Sequence, residues 1–153
     1  QDKGFQSAPY TNSADFLAYL REGTDPKHHP LIEELFEKIV FHDHRVKEAK
    51  ATRREDGKYV VTLELHAAKF EADGKGKETP LGLGHEVDIG VFARPPGGEE
   101  SDETVLYLAK HRIDAETSTI EVVVDAEPFD AGIDPYNKLI DRVSDDNRRK
   151  VSL

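Results

Sequence analysis

Over residues 58–67 the chain alternates, Val60 excepted: Tyr59, Val61, Leu63, Leu65 and Ala67 are apolar, while Lys58, Thr62, Glu64 and His66 are polar. A period of two is the signature of a strand with one face buried, and such a face must be covered by a second layer of structure. Asp56-Gly57, just upstream, is a tight-turn pair, so "RVKEAKATRREDGKYVVTLELHAAKFEAD" predicts a long β-hairpin. "HEVDIGVFAR" repeats the pattern with Val87, Ile89 and Val91, and "TVLYLAKHRI" and "STIEVVVDA" supply two more strands joined by a turn over residues 114–117. The five strands, with a sixth short one near Leu81–Leu83, predict a mainly β domain: an immunoglobulin-like or transthyretin-like antiparallel β-sandwich. "DGKGKETPLGLG" and "RPPGGEESDE" read as solvent loops.

The earlier part of the chain has a different period. In "TNSADFLAYLRE", Asn12 or Ser13 offers an N-cap ahead of Phe16, Leu17 and Leu20, predicting a helix over about residues 12–22. In "HPLIEELFEKIVFHD", Leu31, Ile32, Leu35, Phe36, Ile39 and Val40 form an apolar stripe with Pro30 in its first turn, predicting a second helix over about 29–41 that is mostly core. The sandwich is expected over about 44–126, an ordered tail over 127–153, and a linker over 1–10. A length of 153 residues suits one domain that can bury a core without crosslinks.

Composition excludes several function classes. With 21 Lys and Arg against 31 Asp and Glu, the net charge of −10 and the lack of a segregated basic patch argue against a nucleic-acid partner. No apolar run is long enough to span a bilayer, so a soluble segment without direct membrane insertion is expected. The absence of Cys removes disulfides, thiolate metal sites and thiol nucleophiles. The absence of Met, even at the first position, predicts a piece of a longer polypeptide.

No catalytic constellation emerges. His42 and His44 in "HDH" would face one side of a strand and are the best zinc candidates, but the signal is weak: no third ligand is recognisable, and His42 reads rather as a cap at a helix C-terminus. His28 and His29 read as solvated. "HEVDI" begins like H-E-x-x-H, but position 89 is Ile and the segment alternates as a strand, leaving His85 and Glu86 as loop or strand residues. "DGKGKETPLGLG" lacks the phosphate-loop pattern. In the tail "AGIDPYNKLIDRVSDDN", Asp134, Asp141, Asp145, Asp146 and Asn147 offer oxygen ligands without a calcium-loop spacing. They fit better as turn caps or as partners of Arg142, Arg148 and Arg149, with Pro135 stiffening a turn and Tyr136, Leu139 and Ile140 as apolar anchors.

That tail resembles the extreme C-terminus of bacterial zinc aminopeptidases of the aminopeptidase N type that are fused to, or encoded as, ABC-transporter permease-like membrane proteins. "SADFLAYLRE", "LIEELFEKIVFHDHRV", "DGKYVVTLEL" and "EVDIGVF" extend the resemblance back to about Thr11. It implies a β-sandwich C-terminal domain, belonging to a bacterial inner-membrane-associated protein, behind a zinc-peptidase domain. The family's H-E-x-x-H and G-x-M-x-N motifs are absent, so no catalytic residue carries over, and zinc is implied only for the parent's peptidase domain, with no cofactor in this chain. The expected role is a non-catalytic accessory domain that docks on the neighbouring peptidase domain or shapes access to its cleft, with Tyr136, Leu139 and Ile140 as docking residues. The alternatives are a free-standing β-sandwich module binding a peptide, sugar or protein, and an independent metallohydrolase using His42, His44 and acidic neighbours.

Overall fold

The computed structural model describes residues 10–94 and 103–153. The expected linker over 1–10, except Tyr10, and most of the "RPPGGEESDE" loop lie outside them. The chain divides into two compact units, Gln1–Val40 and Phe41–Leu153.

In the first unit, helix α1 (Ser13–Glu22) starts at Asn12, whose side chain accepts from the N–H groups of Ala14 and Asp15 while Asp15 accepts the Asn12 N–H in return. This reciprocal capping satisfies donors that a helix start leaves orphaned. Helix α2 (His29–Phe36) follows a short 3-10 turn and packs Phe36 edge-on to Phe16 at 5.7 Å. An Arg21–Glu37 ion pair ties the two segments. His29 is not solvated: its Nε2–H donates to the carbonyls of Arg21 and Thr24.

The second helix is shorter than its stripe predicts. Ile39 already opens strand β1 (Ile39–Arg53), and only Ile32 of α2 is buried, whereas Leu31, Leu35, Phe36 and Ile39 are exposed. Two adjacent β-branched residues, Ile39 and Val40, favour a strand over a last helical turn. His42 is consequently a strand residue and caps no helix.

Among the described residues, eight strands form two four-stranded antiparallel sheets. The first is centred on β2 (Tyr59–Ala72), flanked by β1 on one edge and by β6 (Thr117–Val124) and β3 (Glu78–Pro80) on the other. The β1–β2 hairpin closes where expected, with Gly57 at φ 85°, a left-handed conformation that suits glycine. The Gly-rich run after β2 is also a hairpin loop: Asp73 Oδ1 accepts the N–H groups of Lys75 and Lys77. The sixth strand lies just before the expected Leu81–Leu83, at Glu78–Pro80. The second sheet runs β5 (Thr104–Ile113), β4 (His85–Ala93), β7 (Asp130–Ile133), β8 (Arg148–Lys150). Sequence patterning places the sandwich only as far as 126, yet β7 and β8 belong to the tail and build one side of this sheet.

The sheets face each other across one core. Val61, Leu63, Leu65 and Ala67 of β2 meet Val87, Ile89 and Val91 of β4, with Ile113, Val122, Val124 and Ile133 around them. In β1 burial falls on Val40, His42, His44 and Val46, then on Ala49 and Ala51. The switch from even to odd positions requires one extra residue in the strand near Lys47.

Strand β4 is buried on both faces: Asp88, Gly90 and Phe92 point away from the core and are covered too. Gly90 pairs directly with Gly132 of β7, and a Cβ on Gly132 would lie 2.8 Å from the Asn147 carbonyl oxygen and 2.8 Å from Arg148 Cγ. Gly132→Ala should therefore destabilise the sandwich by about 1–3 kcal/mol, as overpacking does, read as a lower midpoint in urea unfolding. Asp88 lies between Lys138 at 2.7 Å and Lys110 at 3.2 Å. Hydrogen bonding from Lys138, ahead of the opposing cost of burial, holds its carboxyl below the ordinary value. A depressed folded pKa gives stability that is present above about pH 4 and is lost as pH falls through the lowered value. Melting temperatures measured down through this range should fall less steeply in Asp88→Asn than in the unaltered chain.

Candidate functional site

The tail is an integral part of the sandwich. Asp134 adopts φ 44°, which Asp tolerates better than most residues, and its N–H donates to the Asp88 carbonyl at 2.7 Å. Its buried carboxylate accepts the backbone N–H groups of Lys138 and Leu139 at 3.0 and 2.9 Å. The turn so formed sets Pro135 over Gly90 and Gly132, and Tyr136 edge-on to Phe92 at 5.9 Å. Leu139 then packs against the core, whereas Ile140 is 60% exposed.

The next residues run beside β1. The His42 N–H donates to the Ile140 carbonyl at 2.8 Å, and the Arg142 N–H donates to the His42 carbonyl at 3.2 Å. Asp141 between them accepts the N–H of His44 at 2.8 Å and that of Val143 at 2.9 Å. Arg142 pairs with Glu78 and lies over the rings of Phe70 and Phe41, rather than meeting a tail carboxylate. Asp146 pairs with Arg45, and Arg148 forks between Glu103 and Asp130 while lying over Phe92. Asp134 and Asp141 thus cap backbone, as one of the two sequence expectations had it, and the tail arginines find partners largely outside the acidic cluster.

At this end of the sandwich three imidazoles converge. His42 and His44 point into the interior from β1, and His85 opens β4 in the facing sheet. Ring centroids are 5.0 Å apart for His42 and His44, 5.1 Å for His42 and His85, and 5.4 Å for His44 and His85. His44 Nε2 lies 3.2 Å from His85 Nε2, and one ring nitrogen from each histidine lies within 4.8 Å of the others. The side chains of His44 and Asp141 are fully buried, with Asp141 Oδ2 3.8 Å from His44 Nδ1. His42 Nδ1 and His44 Nδ1 are buried without a hydrogen-bond partner among the described residues. Burial, reinforced by His44, His85 and Lys69, pushes the pKa of His42 down to about 3. Burial also lowers that of His44, outweighing the carboxylates of Asp141, Asp134 and Asp43. The His42 and His44 rings are thus neutral at ordinary pH, the state in which imidazole has a lone pair to give.

Sequence spacing identifies the His42/His44 pair but misses His85, which is far along the chain and comes from the other sheet. The only local sign of His85 is its place at the head of an alternating strand. Comparisons with family models, with curated proteins and with solved structures find no match. Among the described residues no helix is long and apolar enough to cross a membrane.

The carboxylate of Asp134 carries two backbone hydrogen bonds in a buried setting, so its loss leaves donors unmet. Asp134→Ala should cost about 1–3 kcal/mol, and Asp134→Asn, which keeps one acceptor oxygen, should cost less. Chemical unfolding of both variants gives the comparison.

Proposed function

We propose that the chain is a non-catalytic accessory domain of a membrane-associated zinc aminopeptidase of the aminopeptidase N type, and that it docks on the neighbouring peptidase domain of the same polypeptide. The resemblance of the tail and of the preceding segments supports the family. One observation carries the docking role: Ile140 and Val143 are 60% and 51% exposed on a stretch of backbone whose intervening residues, Asp141 and Arg142, are tied to β1. Apolar side chains displayed on a fixed backbone lose little conformational entropy on binding. Tyr136, 43% exposed beside Phe92, adds an aromatic edge. Leu139 faces inward and serves the fold.

Surface substitutions away from packing usually change stability by less than about 0.5 kcal/mol, so a double variant separates docking from folding. Ile140→Asp with Val143→Asp should leave the melting temperature nearly unchanged. It should weaken binding to the peptidase domain encoded upstream in the same reading frame by about tenfold or more, since hot-spot apolar residues carry more than about 1 kcal/mol each. Calorimetric titration measures this. An upstream frame lacking H-E-x-x-H, or equal affinity for the double variant, would overturn the reading.

A further inference from the structure

We propose that His42, His44 and His85 bind a first-row transition-metal ion, Zn²⁺ foremost, at the end of the sandwich where β1 faces β4. This site is separate from the docking role and does not depend on it.

The geometry carries the inference. Metal–nitrogen bonds of about 2.0–2.1 Å at tetrahedral angles set two donors about 3.3 Å apart, and the Nε2 atoms of His44 and His85 are 3.2 Å apart. A shared proton would account for that distance alone. It gives no role to His42, whose ring lies 5.0 and 5.1 Å from the other two and whose donor atom falls in the same 4.8 Å group. Tetrahedral binding requires the His42 nitrogen, now within 4.8 Å of the other two, to close to about 3.3 Å.

The outer surroundings fit as well. Metal-binding histidines usually have a carboxylate or carbonyl at the ring nitrogen facing away from the metal. Asp141 Oδ2 stands 3.8 Å from His44 Nδ1, which favours the tautomer with its proton on Nδ1 and leaves Nε2 directed at His85. The carboxylate is itself fixed by the N–H groups of His44 and Val143. Lys69, buried on the same face of β2, opposes a cation, and the carboxylates of Asp141, Asp134 and Asp43 act against it.

The donor set defines the ion. Three imidazoles without thiolate suit Zn²⁺, Co²⁺, Ni²⁺ or Cu²⁺, whereas Mg²⁺ and Ca²⁺ require oxygen ligands. Three protein ligands leave a fourth position, and His85 is the partly buried member of the three.

The test uses the full chain after chelator treatment, titrated with Zn²⁺ and with Co²⁺. Binding of one equivalent, a rise in melting temperature reversed by chelator, and Co²⁺ absorption bands of four-coordinate nitrogen ligation are expected. His85→Gln should bind Zn²⁺ more than about 100-fold more weakly, because loss of outer partners alone costs about 10–100-fold. Replacing His28 and His29 together by Ala should leave affinity unchanged. A folded chain that takes up no stoichiometric metal overturns the proposal, as does undiminished affinity in folded His85→Gln. Should that variant fail to fold, the ring-proton resonances of the unaltered chain decide. Zn²⁺ must shift those of His42, His44 and His85 together, and a shift confined to other histidines overturns the site.

Discussion

The structure depends on the burial of β4 on both faces. A strand inside a two-layer sandwich ordinarily shows one face to the core and the other to water. Here Val87, Ile89 and Val91 meet the first sheet, while Asp88, Gly90 and Phe92 need a cover of their own. The tail supplies it through contacts of different kinds: Pro135 against the Gly90–Gly132 pair, Tyr136 against Phe92, and Lys138 on Asp88. The two glycines are paired because backbone and ring approach too closely for side chains there, and Asp134 accepts a left-handed conformation because its carboxylate recovers two hydrogen bonds from the turn it creates.

The same tail manages an exposed edge. In the first sheet β1 has β2 on one side only, and unpaired strand edges invite association with other chains. Residues 140–142 pair with His42, and Ser152 exchanges backbone hydrogen bonds with Ala49 and Ala51, so the edge is covered at both ends by chain from the C-terminal stretch. Val151, next to Ser152, donates to the Phe129 carbonyl beside the other sheet. The final residues therefore link the two layers. Of the carboxylates that make the tail look like an ion site in sequence, Asp134 and Asp141 each receive two backbone N–H groups and Asp146 an arginine.

What was legible followed from periodicity. The β2 face, the Asp56-Gly57 turn and the inner face of β4 are encoded locally, because a half-buried strand must alternate. The boundary between α2 and β1 was not, since Ile39 and Val40 continue the helical stripe at i+8 and i+9 while also beginning the strand, and only the pairing of β1 decides between them. Strands β7 and β8 were hidden because four and three residues hold too few alternations to register, and Gly132, Arg148 and Arg149 are not strand-like by composition. The histidine pair was visible as H-x-H, but its third member became a neighbour only through sheet-on-sheet packing, across 41 positions of sequence.

The placement of those histidines is itself informative about why they are there. Val46 shares the inward face of β1 with His42 and His44, and Val87 shares that of β4 with His85. At these positions the alternation calls for Val, Ile or Leu, which would complete the apolar core without polar atoms to satisfy. A buried imidazole nitrogen left without a partner costs about 1–3 kcal/mol; His42 Nδ1 is in that condition among the described residues, and His44 Nδ1 has only the Asp141 carboxylate at 3.8 Å. Folding alone gives no reason to incur that cost at neighbouring sites, because apolar residues of similar volume would stabilise the sandwich more. Buried polar atoms without a protein partner also occur at Ser118 and Asn147 among the described residues, so what sets the histidine cluster apart is the convergence of three ring nitrogens within 4.8 Å of one another.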